Sequence, residues 1–126
     1  MRLLVAGVPR AGKTTLAMKL AAERNFIVRH TDSLMGLEWS EASAAAALWL
    51  NDAGPWIIEG VAVPRALRKW LAANTGAPCD VVYWMPAARV PLTTGQRSMA
   101  GGCITVWAEV LPQLLARGVE VLPGDG

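Results

Sequence analysis

The stretch "LLVAGVPRAGKTTLAMKL", Leu3 to Leu20, changes character halfway and sets the reading of everything after it. Leu3 to Ala6 is a short apolar run suited to a buried strand. Leu16 and Leu20 then recur at helical spacing, with Ala17 and Ala21 beside them. At the joint stand two glycines, in the order Gly7-x-x-x-x-Gly12-Lys13-Thr14. A glycine-rich turn lets backbone N–H groups converge, and the helix that follows adds its own free N–H groups and the positive end of its dipole. The ligand such a joint suits is a phosphate.

The spacing is the Walker A pattern, and it predicts binding of a nucleoside triphosphate. Gly7, Val8, Pro9, Arg10, Ala11, Gly12, Lys13, Thr14 and Thr15 are the expected nucleotide-binding residues. Lys13 adds a full charge able to reach β- and γ-phosphate oxygens, and the Thr14 hydroxyl is the expected Mg²⁺ ligand. The Arg10 side chain either lies over the nucleotide or points into solvent.

A chain of 126 residues, 53% hydrophobic, has material for one core, so residues 1–126 are read as one domain. The net charge of +2 comes from scattered basic residues and carries no strong nucleic-acid signal. Cys79 and Cys103 lack metal-ligand spacing and there is a single histidine, which argues against a zinc site. Buried reduced thiols in a cytoplasmic protein are the expectation. The N-terminal apolar run stops at Gly7, too short for a signal peptide or a membrane span, so no membrane partner is expected.

Further strands are predicted at Phe26–His30, Pro55–Gly60, Cys79–Met85 and Val119–Leu122. Helices are predicted at about 13–24, from the N-cap Ser40 to about Asn51, from Pro64 onward, and over Thr105–Arg117 with a bend at Pro112. Arg89 to Gly102 holds Pro91 and three glycines. It reads as partly loop, though "GQRSMA" also suits a helix start. Strands alternating with helices predict a three-layer α/β sandwich whose parallel sheet binds ligands at the carboxyl ends of its strands.

Those ends carry the remaining candidates. Asp32 follows the second strand, where a carboxylate serves as base to an acceptor hydroxyl, holds Mg²⁺ through water, or only caps a turn. Glu59 closes the third strand, and its options are Mg²⁺ water ligation, substrate binding, or a solvated strand end. Arg65 is placed to reach an acceptor phosphate or carboxylate. Arg89 and Arg97 flank the segment after the fourth strand, where a mobile loop brings cationic charge to a transferring phosphoryl group. His30 reads as a hydrogen-bonded strand residue rather than a catalyst.

"GVPRAGKTT", "HTDS", "WIIEG" followed by "VPRAL", and the arginine-containing segment after strand four together resemble the small P-loop kinases. These comprise the adenylate-kinase-like, nucleoside, shikimate and gluconate kinases, with polynucleotide kinases and zeta toxins. The resemblance implies five parallel strands in the order 2-3-1-4-5 and a lid after strand four, at about 87–102. It implies ATP and Mg²⁺ as cofactors, a phosphoryl acceptor at Asp32, and catalytic roles for Lys13, Asp32, Arg89 and Arg97. The closely spaced arginine pair of many such lids is replaced here by "RVPLTTGQR", and Ser33 to Gly54 names no acceptor.

Two functions stand open on the sequence. One is a kinase moving the γ-phosphate to a hydroxyl or phosphate on a metabolite, a nucleotide or a nucleic-acid end. The other is a nucleotide-binding regulatory or interaction module without transfer. GTPase switching is a weaker third, because neither an Asn-Lys-x-Asp motif nor an Asp-x-x-Gly after an apolar strand is present.

Overall fold

In a computed structural model describing residues 1–34 and 36–124, the apolar runs become five parallel strands. They are β1 (Arg2–Gly7), β2 (Val28–His30), β3 (Trp56–Gly60), β4 (Val81–Met85) and β5 (Glu120–Pro123), ordered β2-β3-β1-β4-β5. The central strand β1 pairs with β3 through Leu4 opposite Ile58 and with β4 through Leu4 opposite Val82. The expected order and parallel sense are both present.

The helices are α1 (Lys13–Arg24), α2 (Trp39–Trp49), α3 (Val63–Ala73) and α4 (Thr94–Ala116). Alternate residues of β1 point to opposite faces, as strand geometry requires. Leu3 and Val5 pack with Leu16, Ala17 and Leu20 of α1. Leu4 and Ala6 pack with Leu67 and Trp70 of α3 and with Val106, Val110 and Leu114 of α4. Stacking of Trp84 on Trp107, with centroids 4.5 Å apart and planes 7° from parallel, ties β4 to α4.

Helix α1 is closed by Asn25 in the left-handed conformation (φ 57°), and Pro64 sits in the first turn of α3, both as the sequence predicts. Two expectations change. Helix α2 starts at Trp39 with Glu38, not Ser40, at the N-cap. Helix α4 begins at Thr94 rather than Thr105, so residues 94–102 of the expected loop are helical and the connecting loop narrows to residues 86–93. The reason is a capping box: the Thr93 side chain accepts from Gln96 N–H, and the Gln96 side chain accepts from Thr93 N–H. Pro112 lies inside this helix, which continues to Ala116.

Among the described residues α4 is the one helix long and apolar enough to cross a membrane. Its buried residues, Cys103, Val106, Trp107, Val110 and Leu114 among them, belong to the face that packs into the α/β core. Cys79 and Cys103 are free and buried, and burial pushes their thiols up to about 12 and about 11 respectively.

Candidate functional site

The chain leaves β1 toward one face of the sheet and leaves β3 toward the other, so a crevice opens at the carboxyl ends of these neighbouring strands. A cavity of about 360 Å³ occupies it. Lys13, Thr14, Asp32, Glu59 and Gln96 line it together with the loop residues Pro9, Arg10 and Gly12.

The loop is shaped by two different demands on glycine. At Gly7 a Cβ would lie 2.5 Å from the Met85 carbonyl oxygen, which already accepts from Val8 N–H at 3.1 Å. Close approach of β1 to β4 sets that position. Gly12 has φ 95°, a conformation that L-residues rarely adopt, and it immediately precedes α1. Arg10 takes φ 61° without being glycine, the kind of backbone strain that concentrates at functional loops.

No side chain caps the N-terminus of α1, and no acidic residue occupies its first turn. Its free N–H groups and the positive end of its dipole are therefore left for an anion. Lys13 is only 9% exposed and donates to the Val8 carbonyl at 2.6 Å. Burial lowers its ammonium from the ordinary lysine value, while the Glu59, Cys103 and Asp32 charges act in the opposite direction.

Glu59 is 2% exposed, which answers the question of a solvated strand end. Its Oε2 accepts from the Thr14 hydroxyl at 3.1 Å and pairs with His30 Nδ1 at 2.5 Å. Side chains from β2, β3 and α1 thus meet on one carboxylate oxygen. Thr14 and Glu59 together present two hard oxygen ligands at the edge of the loop, a donor set that suits Mg²⁺ completed by phosphate oxygens and water. Among the described residues no group of three or more His, Cys, Asp or Glu forms a metal cage.

Asp32 stands in the 3-10 turn Thr31–Leu34 after β2, exposed, on the rim of the same cavity. Arg89 also reaches the loop: its main-chain N–H donates to the Arg10 carbonyl at 2.9 Å. A Cβ on Gly12 would come within 2.9 Å of the Arg89 guanidinium carbon. Arg97 does not line the cavity. Its guanidinium reaches the Leu92 carbonyl at 3.4 Å and the Thr94 hydroxyl at 3.3 Å.

Arg65, the expected acceptor-binding arginine, does not line that cavity. Its guanidinium lies over the Trp39 ring, 4.8 Å from the centroid, in a hollow that it shares with Arg68 and Lys69. Three residues of the site lay outside the sequence expectation, namely Val61, Gln96 and Met99. The Thr93-x-x-Gln96 pattern was the available signal for the last two, since it starts α4 early enough to bring them to the cleft. His30 is the hydrogen-bonded strand residue expected, and its partner is Glu59.

Comparison of the chain with known protein families and with curated proteins returns no match.

Proposed function

We propose that this protein is an ATP-binding P-loop kinase, acting in the cytoplasm, that transfers the γ-phosphate to a hydroxyl or phosphate acceptor. One observation supports the reading above others. The uncapped α1 N-terminus, the buried Lys13, the Thr14–Glu59 pair and the Asp32 carboxylate all front one cavity. Each part matches a requirement of phosphoryl transfer, which is mainly positioning and charge stabilisation.

In this reading the loop N–H groups and Lys13 hold the β- and γ-phosphates. Lys13 gives up the Val8 carbonyl for phosphate oxygens, which relieves the cost of its burial. Thr14, with Glu59 behind it, would hold Mg²⁺, whose charge offsets that of the phosphate oxygens. Asp32 takes the proton as the acceptor oxygen bonds to the γ-phosphorus and the bond to the β-phosphate oxygen breaks. Arg89, already against the loop, adds charge where it accumulates on the transferring group.

The second reading, a nucleotide-responsive module without transfer, is favoured by the position of Arg97, which bonds to its own helix start. The test is calorimetric titration with Mg²⁺-ATP and other nucleoside triphosphates, followed by ADP release in the presence of varied acceptors. The kinase reading expects saturable ATP binding and acceptor-dependent ADP. Binding without any acceptor-dependent ADP favours the module, and no triphosphate binding overturns both.

A further inference from the structure

Beside the phosphate cavity lies a second, smaller one of about 110 Å³. Its walls are Leu34, Leu37 and Trp39 after β2, Ala42 of α2, and Val61 and Met99, the last two shared with the phosphate cavity. No charged side chain lines it among the described residues. Its polar feature is Thr31, which is 3% exposed and whose Oγ1 has no hydrogen-bond partner among the described residues. The hydroxyl is pressed against Gly60, where an added Cβ would overlap it.

A buried hydroxyl without a partner costs stability, and its ordinary explanation is a ligand or water that completes it. Thr31 and Asp32 are consecutive, one lining the apolar hollow and the other the phosphate cavity, and Val61 and Met99 line both, so the two cavities adjoin. The cationic side chains of this region, Arg65, Arg68 and Lys69, line a different hollow that shares only Trp39 with this one. An anionic acceptor body would therefore meet no charged side chain in the wall of the hollow, since Arg65, whose Nη1 is also buried without a partner among the described residues, lies over the Trp39 ring and outside that wall.

Resting on the kinase reading, we infer that the acceptor is a small uncharged alcohol with a compact apolar body, about one ring or branched alkyl group in size. A dry enclosed cavity of roughly 150 Å³ accepts a benzene ring, so an open hollow of about 110 Å³ takes no more than a single ring or a branched alkyl group. The body fills the hollow, and the Thr31 hydroxyl, sealed against Gly60 in the free protein, bonds the acceptor by turning toward the hollow as the body enters. The alcohol oxygen then attacks the γ-phosphorus, its proton passes to Asp32, and ADP leaves as the phosphate monoester forms.

The experiment uses the full chain with Mg²⁺-ATP. It measures ADP release with benzyl alcohol and cyclohexylmethanol against glycerol, ribose and a 5′-hydroxyl oligonucleotide, with ATP affinity measured in parallel. The ring alcohols should stimulate ADP release, and Ala42→Leu, which fills the hollow, should lower their kcat/KM by about tenfold or more. ATP affinity in that variant should be unchanged. Leu37→Ala, which opens the hollow, should shift preference toward a bulkier alcohol such as 4-tert-butylbenzyl alcohol, a gain that damage to the fold does not produce.

Thr31→Val gives an independent signature. It should leave the melting temperature of the free protein unchanged or raised, while lowering kcat/KM for the ring alcohols roughly fivefold, since an unpaired hydroxyl is removed and a bond to the acceptor is lost. A lower melting temperature with unchanged alcohol kinetics would show that Thr31 serves the fold alone and overturn its role. Normal ATP binding with no response to ring alcohols, or with ADP release driven by the oligonucleotide or ribose instead, overturns the acceptor class and leaves nucleotide binding standing. Loss of ATP binding in the wild-type chain overturns the kinase reading and this inference with it.

Discussion

The two sides of the cleft that the kinase reading assigns to phosphate and to acceptor are built differently, the first from one continuous stretch and the second from side chains gathered from distant parts of the chain. On the first side the sequence from Gly7 to Thr15 supplies the loop, the helix N-terminus and the buried Lys13 within one continuous stretch. On the second, Thr31, Trp39, Ala42, Val61 and Met99 come from a 3-10 turn, two helices and a strand-to-helix connection. In the proposed kinase, local geometry governs ground-state nucleotide binding and long-range packing governs what the nucleotide reacts with. Mutations on the two sides should separate affinity from turnover.

The largest separation is expected at Asp32. Asp32→Asn keeps the shape and loses the base, so acceptor-dependent ADP release should fall by about 10²-fold or more. ATP affinity measured by titration should move little, because the proposed cradle contacts come from the loop and Lys13 rather than from Asp32. Equal loss of affinity and turnover would place Asp32 in nucleotide binding and blur the division between the two sides.

Next is Lys13. Its Nζ is held within the loop by the Val8 carbonyl, and the same charge is the natural partner of the phosphates. Lys13→Ala should weaken ATP binding by ~2 kcal/mol or more, in line with the loss of charge-assisted hydrogen bonds. Without ATP the same variant should not lose stability from the missing charge, since burial makes that charge costly in the folded chain. Unchanged ATP affinity would remove the phosphate cradle from the site.

The two arginines after β4 refine the comparison further, because the sequence assigned them the same role and the structure separates them. Arg89 lies against Gly12 and bonds the loop through its backbone, while Arg97 bonds to Leu92 and Thr94 at the start of its own helix. Arg89→Ala should lower turnover about tenfold with a smaller change in ATP affinity, as expected of charge acting on the transition state. Arg97→Ala should stay within about twofold in turnover, the ordinary result for a surface charge remote from the chemistry. A large effect at Arg97 and none at Arg89 would mean that α4 unwinds at Thr94 when nucleotide binds, and would restore a lid over residues 87–102.

What the sequence disclosed follows the same division. The alternating strands and helices and the glycine-bearing turn between β1 and α1 were legible because they rest on local signals, apolar runs and a glycine spacing, whereas the strand order came only from the resemblance to the small P-loop kinases. Glu59 was legible as a strand-end carboxylate, but its junction with Thr14 and His30 depends on the register of β2 against β3, which pairs His30 with Glu59. The early start of α4 was encoded in Thr93 and Gln96, yet Pro91 and the glycines at 95, 101 and 102 masked it, since glycine in a helix interior argues against helix. Arg65 was legible as a residue of the helix after β3, and only the fold shows that its guanidinium lies over Trp39.

The smallest effect expected is a pH dependence centred on Lys13. In the free protein burial depresses the Lys13 ammonium below the ordinary lysine value, with Glu59, Cys103 and Asp32 opposing in part. The unfolded chain therefore holds the Lys13 proton to higher pH than the folded one. Through that interval the contribution of Lys13 to stability rises with pH, because the folded state sheds a charge that it solvates poorly. Triphosphate binding reverses the balance by giving the ammonium a dense countercharge, which raises its pKa and makes binding take up protons. ATP affinity should accordingly decline as the pH climbs from the free-state value of Lys13 toward its bound-state value. Titrations across neutral to alkaline pH should show this decline in the wild type and its loss in Lys13→Arg, whose charge does not titrate there. Asp32→Asn should retain the decline but begin it at lower pH, since the Asp32 charge is one of those that raise the Lys13 pKa. An affinity independent of pH in the wild type would mean that the phosphates do not meet the Lys13 ammonium.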